Sequence, residues 1–355
     1  MVTALKTSIN ILLVFLFAAC TSVPDERMTP YVDFPETREL TARTLSLDSA
    51  LFRYPYRVRV QDDKAVVLDL HGTEYFFHAF HYPGFHYLSS FGKRGDAPEE
   101  MLSAENLRWN GNFLWTLDSN KSELTRLGFA SSGDSLLRLE AVSLDEELLR
   151  SLDFVQYDDS TFIIPDYSGD SRFCLVSRQG KLLHKIGTIP TTDEDALKNA
   201  HPALAQAWRS FIDYNPRNGV LAAVTQLGEV LEIYNLKDST HIVRIGPNGE
   251  PEFQISQGYG IPTGIMGFSD IQVTDSAIYV VFQGRAFKDI MQKAQQGINL
   301  PDGGQNIYVF SLEGKPLRKY VLDHYIHGIS VDEQKGIIIA TDVNKDEPII
   351  EYKLL

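Results

Sequence analysis

Short apolar runs alternate with polar turns along the chain, and one pattern of this kind recurs six times. Each copy has an apolar run, a turn containing Asp, Asn, Ser or Gly, and a second, more hydrophobic run. Such a pattern predicts a β-hairpin, because these turn residues tolerate the backbone that tight loops require. The predicted strand pairs are 56–60 with 65–68, 106–109 with 113–117, 153–157 with 161–164, 211–214 with 220–224, 269–273 with 277–282, and 328–331 with 336–340.

The second strand of each copy ends at an equivalent position, and the spacing of these positions is regular. The end residues are Asp69, Asp118, Asp166, Thr225, Gln283 and Asp342, which lie 49, 48, 59, 58 and 59 residues apart. A third strand follows in every copy, and a fourth ends in many copies with an apolar residue and Gly. Six repeats of three or four antiparallel strands predict an all-β fold, a six-bladed β-propeller. The alternative is a pair of β-sandwiches with coincidental spacing.

Two segments interrupt the repeat. Residues 193–209 have apolar positions spaced for one helical face and follow a possible cap at Thr192 or Asp193, and residues 287–294 also predict a short helix. The last copy lacks sequence for a fourth strand. We expect residues 41–47 to supply it and close the ring, which removes an edge prone to aggregation.

The first twenty residues have the pattern of an export signal. A single basic residue, Lys6, precedes an apolar run at 11–17, and Ala18 and Ala19 lead directly to Cys20. This segment resembles a bacterial lipoprotein signal, which implies that Cys20 becomes the lipidated N-terminus. The alternatives are an ordinary secretion signal with an incidental Cys20, or a retained membrane helix. The predicted organisation is a signal peptide at 1–19, a tether at 20–36 and the propeller at 37–355.

The charge and the cysteine content of the chain exclude two classes of protein. The 355 residues carry 33 basic and 47 acidic side chains, a net charge of −14, which argues against a nucleic-acid partner. Two cysteines are too few for a disulfide scaffold. Cys174 lies within a predicted strand and is interpreted as a buried, apolar-like thiol.

Two segments resemble a known family. Residues 91–100, Phe-Gly-Lys-Arg-Gly-Asp-Ala-Pro-Glu-Glu, and residues 268–284 resemble parts of the TolB-like or NHL-like six-bladed propeller lipoproteins of bacteria. Ala97 stands where that family usually has glycine, and the Lys-Arg order is reversed. The resemblance implies the fold and a location in the cell envelope. It implies no particular activity, since a fold hosts many functions.

The loop in this motif is the first candidate binding site. Gly92, Lys93, Arg94 and Gly95 combine backbone N–H groups with positive charge, which suits an anion. The alternative is a connecting loop whose glycines supply positive φ angles. A phosphate-binding P-loop is excluded by the spacing.

Polar residues on the predicted innermost strands are the second candidate. Arg57, Arg59 and Arg108 are predicted to contact ligand in the channel, together with Asp270 and Gln272 as further polar candidates. They do not compose an obvious cation site. A metal-dependent hydrolase or lactonase on the same fold, which would need such a site, is therefore the alternative function.

Other polar clusters are interpreted structurally. The turns after Asp118, Asp166 and Asp342 have alternating oxygen ligands, as in half of a calcium loop, but Asp and Asn also cap turns by bonding backbone N–H groups. The spacing of four histidines does not place them all on one strand face. These are His71, His78, His81 and His86. No metal site, catalytic residue or cofactor is predicted.

The sequence therefore predicts a binding or interaction module of the cell envelope. Its membrane partner is reached through lipidated Cys20, with an outer-membrane location on the periplasmic side or at the cell surface. Its ligand is expected to be a protein, a small molecule or a carbohydrate, held at the channel mouth or on the face that carries the two insertions.

Overall fold

The computed structural model describes residues 28–47 and 52–354. The predicted signal peptide and Cys20 lie outside these residues. The described chain forms a six-bladed β-propeller in which each blade is an antiparallel sheet of four strands, two blades carrying an additional parallel strand. This confirms the predicted fold, and within the described residues no helix is long and apolar enough to cross a membrane.

The N-terminal part contributes three short strands, which join blades formed much later in the chain. They are β1 (Thr29–Pro30), β2 (Thr37–Leu40) and β3 (Arg43–Thr44). The first three blades then follow in order. Blade 1 contains β4 (Pro55–Gln61), β5 (Lys64–Asp69), β6 (Tyr75–His81) and β7 (His86–Lys93). Blade 2 contains β8 (Asn106–Asn110), β9 (Phe113–Asp118), β10 (Glu123–Phe129) and β11 (Leu136–Ser143). Blade 3 contains β12 (Val155–Gln156), β13 (Thr161–Pro165), β14 (Phe173–Ser177) and β15 (Leu182–Ile186).

The second half of the ring carries the insertions. Helices α1 (Glu194–Asn199) and α2 (His201–Ala207) precede blade 4, which contains β16 (Ser210–Asn215), β17 (Val220–Thr225), β18 (Val230–Asn235) and β19 (Thr240–Ile245). A hairpin of β20 (Phe253–Ser256) and β21 (Tyr259–Pro262) leads to blade 5. Blade 5 contains β22 (Phe268–Val273), β23 (Ala277–Phe282), helix α3 (Phe287–Gln295), β24 (Gly304–Ser311) and β25 (Pro316–Ile326). Blade 6 contains β26 (Ile329–Asp332), β27 (Ile337–Thr341) and β28 (Ile349–Lys353).

Apolar cores lie between neighbouring blades. The second strand of a blade is covered on both faces, so β17 reads Val-Leu-Ala-Ala-Val-Thr and is buried at every position. Val224 and Ile271, for example, share the core between blades 4 and 5. Cys174 is buried between blades 2 and 3, where burial and the nearby Asp166 carboxylate raise the pKa of its thiol to about 12. It is the packing residue that the sequence predicted.

The ring closes as predicted from the N-terminal side. Strand β3 pairs antiparallel with β28 and becomes the outermost strand of blade 6. The paired stretch is shorter than the predicted 41–47, although the backbone N–H of Leu45 also donates to the carbonyl of Ile349 at 2.9 Å. The last strand of the chain therefore has a partner on each side.

The segment predicted as a tether is partly built into the domain. Within the described residues, β1 pairs parallel with β19, and β2 pairs parallel with β25. Tyr31 and Phe34 are buried in the core of blades 4 and 5, and the Tyr31 hydroxyl donates to Glu229 at 2.7 Å. The prolines that suggested a linker are compatible with edge strands of only two residues. The propeller domain thus includes residues 28–36, earlier than the predicted boundary.

The two predicted helical insertions are present, with one difference. The first is two short helices rather than one, because Pro202 cannot continue α1 and is instead the second residue of α2, which begins at His201. The Asp193 side chain accepts a hydrogen bond from the N–H of Ala196 and caps α1 as expected. The hairpin β20–β21 was not anticipated from the sequence.

Candidate functional site

A cavity of about 600 Å³ lies at one end of the central channel. Its wall contains residues from the starts of inner strands, the ends of second strands and the insertions. The opposite end of the channel, where the inner strands finish, has a smaller cavity of about 260 Å³. The insertions therefore enlarge one end of the channel, which we call the insertion end.

Helix α2 and the hairpin β20–β21 form one wall of this cavity. The Gln206 side-chain oxygen accepts a hydrogen bond from the Gly260 N–H at 3.1 Å. A Cβ atom at Gly260 would lie 2.5 Å from the carbonyl oxygen of Ala203, so only glycine lets the hairpin approach the helix this closely. The first insertion and the hairpin are thereby held together.

The second insertion is fixed through Asp302, which follows α3. Its carboxylate contacts the Tyr54 hydroxyl and lies 3.2 Å from His327 Nε2. Its backbone N–H and carbonyl both bond the Asn344 side chain, each at 2.8 Å. The hydrogen bond from His327 lowers the pKa of Asp302 well below its ordinary value. The carboxylate is therefore ionised at neutral pH and anchors the insertion to blades 1 and 6.

Five aromatic rings line the cavity: Tyr56, Tyr167, Phe211, Phe268 and Phe287. Burial raises the pKa of Tyr56 to about 12, and burial also raises the pKa of Tyr167. Both phenols therefore remain neutral at physiological pH. The wall offers flat apolar surface in addition to hydroxyl groups.

Four polar side chains of the wall have a buried atom without a hydrogen-bond partner among the described residues. They are Tyr167 at its hydroxyl, Arg209 at Nε, Gln283 at Oε1 and His327 at Nδ1. Buried polar atoms are rarely left unsatisfied in folded proteins, because their desolvation is not compensated. A ligand or water in the cavity would satisfy them, which is the strongest structural indication of a binding site here.

Ion pairs fill the channel below this cavity. The Arg59 guanidinium makes two hydrogen bonds to Asp270, at 2.8 and 2.9 Å, and Arg57 Nε lies 3.1 Å from the same carboxylate. Arg108 pairs with Asp153 at 3.2 Å and Asp213 at 3.1 Å. The three arginines predicted to bind ligand are thus buried and paired with aspartates, and they do not line the cavity at the insertion end.

At the Asp270 carboxylate, the attraction of neighbouring arginine charges outweighs the effect of burial. Its burial would raise the pKa, but the Arg57 and Arg59 charges outweigh burial and lower the pKa to about 2. Asp270 also accepts the Ile329 N–H at 2.9 Å. It therefore joins the inner strands of blades 1, 5 and 6 as a permanent anion.

The predicted anion-binding loop lies outside the cavity. Lys93 pairs with Glu100 at 2.7 Å, and Arg94 Nε donates to the Gly72 carbonyl at 2.9 Å. Gly92 and Gly95 both have positive φ angles. Lys93 and Arg94 thus bond groups within or next to the loop, which agrees with the alternative interpretation of a connection between blades.

The carboxylate-rich turns have the structural role that their sequence favoured. Asp118 accepts bonds from the N–H groups of Leu102, Asn120 and Lys121.

The four histidines of blade 1 do not form one cluster: His78 bonds Ser90, and His81 lies near Asp63 and opposite His86. Across residues 28–47 and 52–354, no group of three His, Cys, Asp or Glu side chains is placed to hold a metal ion.

Comparison with known proteins identifies the family. Residues 33–334 match the family model described as TolB-like 6-blade propeller-like. The chain belongs to the TolB-like six-bladed propeller family. No curated protein matches the sequence significantly.

Three solved structures illustrate the fold of this TolB-like protein. An exported protein from Bacteroides fragilis aligns with a TM-score of 0.58 at 10% identity, covering 91% of this chain and 99% of its own. A duf4221 family member from Bacteroides vulgatus aligns with a TM-score of 0.55 at 11% identity, covering 89% and 96%. An auxiliary nutrient binding protein from Bacteroides ovatus aligns with a TM-score of 0.53 at 9% identity, covering 86% and 70%. At these identities the similarity shows the fold alone.

Several cavity residues of this TolB-like propeller were not singled out from the sequence. Arg209 immediately precedes the inner strand β16, His327 lies two residues before the inner strand β26, and Gln226 immediately follows the second strand β17. The repeat places all such positions at the same end of the channel. Aligning the six copies and examining the two residues before each first strand would have found Arg209 and His327.

Proposed function

We propose that this protein is a lipid-anchored binding protein of the cell envelope, which holds a small organic ligand in the cavity at the insertion end. The observation that carries this proposal is the cavity of about 600 Å³ with four buried, unpartnered polar atoms in its wall. Ligand sites in proteins are typically concave and mostly apolar, with a few polar groups that orient the ligand.

The location rests on the N-terminal motif. The apolar run at 11–17, followed by Ala18, Ala19 and Cys20, supports export and lipidation. Structural neighbours named as exported or nutrient-binding proteins agree with an envelope role without establishing it. An outer-membrane position is part of the proposal.

The ligand site is tested with a matched pair of tryptophan variants. Gln226→Trp fills the cavity wall, whereas Gln334→Trp adds the same side chain at the opposite end of the channel. Saturation-transfer NMR is run with a fixed library of organic acids, neutral sugars, amino acids and nucleosides. We expect compounds that bind wild type and Gln334→Trp to lose binding to Gln226→Trp. Equal binding to all three proteins would refute the cavity as the site.

The anchor is tested by metabolic labelling. Wild-type protein expressed in a Gram-negative host should incorporate radioactive palmitate and sediment with membranes, and Cys20→Ser should do neither. Cys174→Ser is the matched control, because Cys174 is buried in the propeller. Equal labelling of the Cys20→Ser variant would contradict lipidation at this residue.

A further inference from the structure

The cavity at the insertion end has a charge that differs from that of the whole protein. The chain carries 47 acidic and 33 basic residues. Among the described residues that line the cavity there are two arginines, Arg150 and Arg209, but no Asp or Glu, and the charge of the nearby Asp302 carboxylate is directed to His327 at 3.2 Å. The two arginines of this wall favour an anionic ligand by charge complementarity.

Arg209 is the unusual cation of this wall. Other buried arginines of the described chain have carboxylate partners, as in Arg59 with Asp270, Arg108 with Asp153, and Arg172 with Glu232. Arg209 is half-buried, has no ion pair among the described residues, and leaves Nε without a hydrogen-bond partner. A buried N–H of a cation that has neither a hydrogen-bond partner nor a counter-charge is costly. A bound anion would remove that cost.

The position of Arg209 is well defined by its neighbours. It joins helix α2 to the inner strand β16, and its backbone carbonyl accepts the Gln226 N–H at 2.8 Å. Its charge acts on the phenols of Tyr56 and Tyr167, opposing the rise in pKa that burial causes. The guanidinium thus lies among the rings of the cavity and is held there by regular structure.

Apolar surface extends from the rings to solvent. Leu149 lines the cavity and is 56% exposed. Met266 and Phe287 of the same wall are half-buried. Neighbouring apolar residues that remain exposed around a pocket are typical of a binding surface for an apolar group.

We propose that the ligand is an amphiphilic organic acid. Its carboxylate pairs with the Arg209 guanidinium, whose planar N–H groups match two carboxylate oxygens. Its apolar body packs on the rings of Tyr56, Phe211 and Phe268 and extends towards Leu149 at the mouth. This inference rests on the proposed ligand-binding function and specifies the chemical class that the same cavity takes.

The test compares acids with neutral amides of the same shape. Isothermal titration calorimetry is performed with three pairs: octanoate and octanamide, 2-naphthoate and 2-naphthamide, and 4-biphenylcarboxylate and 4-biphenylcarboxamide. We expect at least one acid to bind wild type roughly tenfold or more tighter than its amide, as a charge-assisted pair would provide. The preference should weaken as salt is raised.

Two arginine variants assign the preference to one side chain. Arg209→Gln should lower affinity for the acid by roughly tenfold and leave affinity for the amide nearly unchanged. Arg217→Gln, at an exposed arginine on the opposite end, is the matched control and should retain the preference. Because Arg209 has no ion pair to lose, its substitution should not lower the thermal midpoint, which separates a binding role from a structural one.

The outcomes distinguish this inference from the proposed function. If an acid and its amide bind equally and Gln226→Trp abolishes both, the cavity binds ligand but the preference for acids is refuted. If no acid binds wild type, or if Arg209→Gln leaves the preference intact, the inference is refuted. If no acid, amide or library compound distinguishes Gln226→Trp from wild type, the proposed function fails as well.

Discussion

The arginines of the channel are paired with aspartates, and these ion pairs determine which charged side chains remain for a ligand. Arg57 and Arg59 face Asp270, and Arg108 faces Asp153 and Asp213, so three cations and three anions lie together away from water. Removing one member of such a network leaves an uncompensated buried charge. The network therefore stabilises the closed ring, and the unpaired Arg209 near the cavity is left for a ligand.

Replacing Asp270 tests the structural role of this network. Asp270→Asn keeps the shape of the side chain but leaves Arg57 and Arg59 without their shared anion. We expect the free energy of unfolding, measured by urea denaturation, to fall by about 3–5 kcal/mol. The matched control is Asp159→Asn in an exposed turn, which should change it by less than about 0.5 kcal/mol. Similar small losses in both variants would contradict the role given to the ion pairs.

The same carboxylate predicts a pH dependence. The pKa of Asp270 is lowered from 3.8 to about 2, so its contribution to stability is fully present above the unfolded value and is lost as pH falls towards 2. Asp213, whose pKa is raised mainly by burial, contributes with the opposite sign. Wild type should therefore lose its stability advantage over Asp270→Asn between about pH 4 and pH 2. An advantage that stays constant across this interval would refute the assignment.

The roles of the three channel arginines were harder to predict than their positions, because their ion-pair partners are distant in the sequence. Arg57, Arg59 and Arg108 do lie on the inner strands β4 and β8 from which they were selected. Their carboxylate partners lie 45 to 213 residues away along the chain, as in Arg108 with Asp153 and Arg57 with Asp270. No local pattern reveals such a pair, so the arginines were interpreted as free to bind ligand.

At the scale of elements, the strands of the repeat were largely predictable, and the additions to it were not. Inner and second strands agree with the hydrophobic pattern because burial on both faces leaves nearly continuous apolar runs. Strands β1 and β2 are short, exposed and paired with residues more than 200 positions away. Their stability comes from Tyr31 and Phe34, which anchor the segment in the core of blades 4 and 5.

A core substitution tests whether this N-terminal segment belongs to the domain. Phe34 contacts the rings of Tyr308 and Phe310 at centroid distances of 4.6 and 5.2 Å. Phe34→Ala should lower the free energy of unfolding by about 3 kcal/mol in chemical denaturation. The control, Val32→Ala, changes a residue that is 85% exposed and should have almost no effect. If Phe34→Ala were equally neutral, the segment would be a tether after all.

At the scale of the whole molecule, closure of the ring was predictable because the repeat count left one blade incomplete. The last copy ends with a third strand, and β3 supplies the fourth. A chain that begins at residue 52 lacks β1, β2 and β3 and exposes the edges of three blades. We expect it to have a thermal midpoint lower by about 10 °C or more and to form oligomers on size-exclusion chromatography. A chain beginning at residue 28 should remain monomeric, and identical behaviour of the two would contradict closure by β3.

The end of the channel that carries the candidate site could be predicted from the sequence, but the residues that line it could not. The two insertions were expected to shape the binding face, and they do surround the larger cavity. The unanticipated hairpin β20–β21 completes its wall, and the chemistry depends on Arg209, Gln283 and His327 at the ends of strands. These three residues adjoin blades 4, 5 and 6 and converge only when the ring is assembled, so their spacing along the chain carries no recognisable motif.

The most direct test of ligand binding at the insertion end is hydrogen–deuterium exchange measured by mass spectrometry, with and without the best-binding library compound. The expected result is slower amide exchange at residues 206–211, 226–227, 259–269 and 283–287, with no change at residues 60–62, 272–275 and 332–335 at the opposite end. Protection confined to the opposite end, or absent from the insertion end, would contradict the assignment of the binding site.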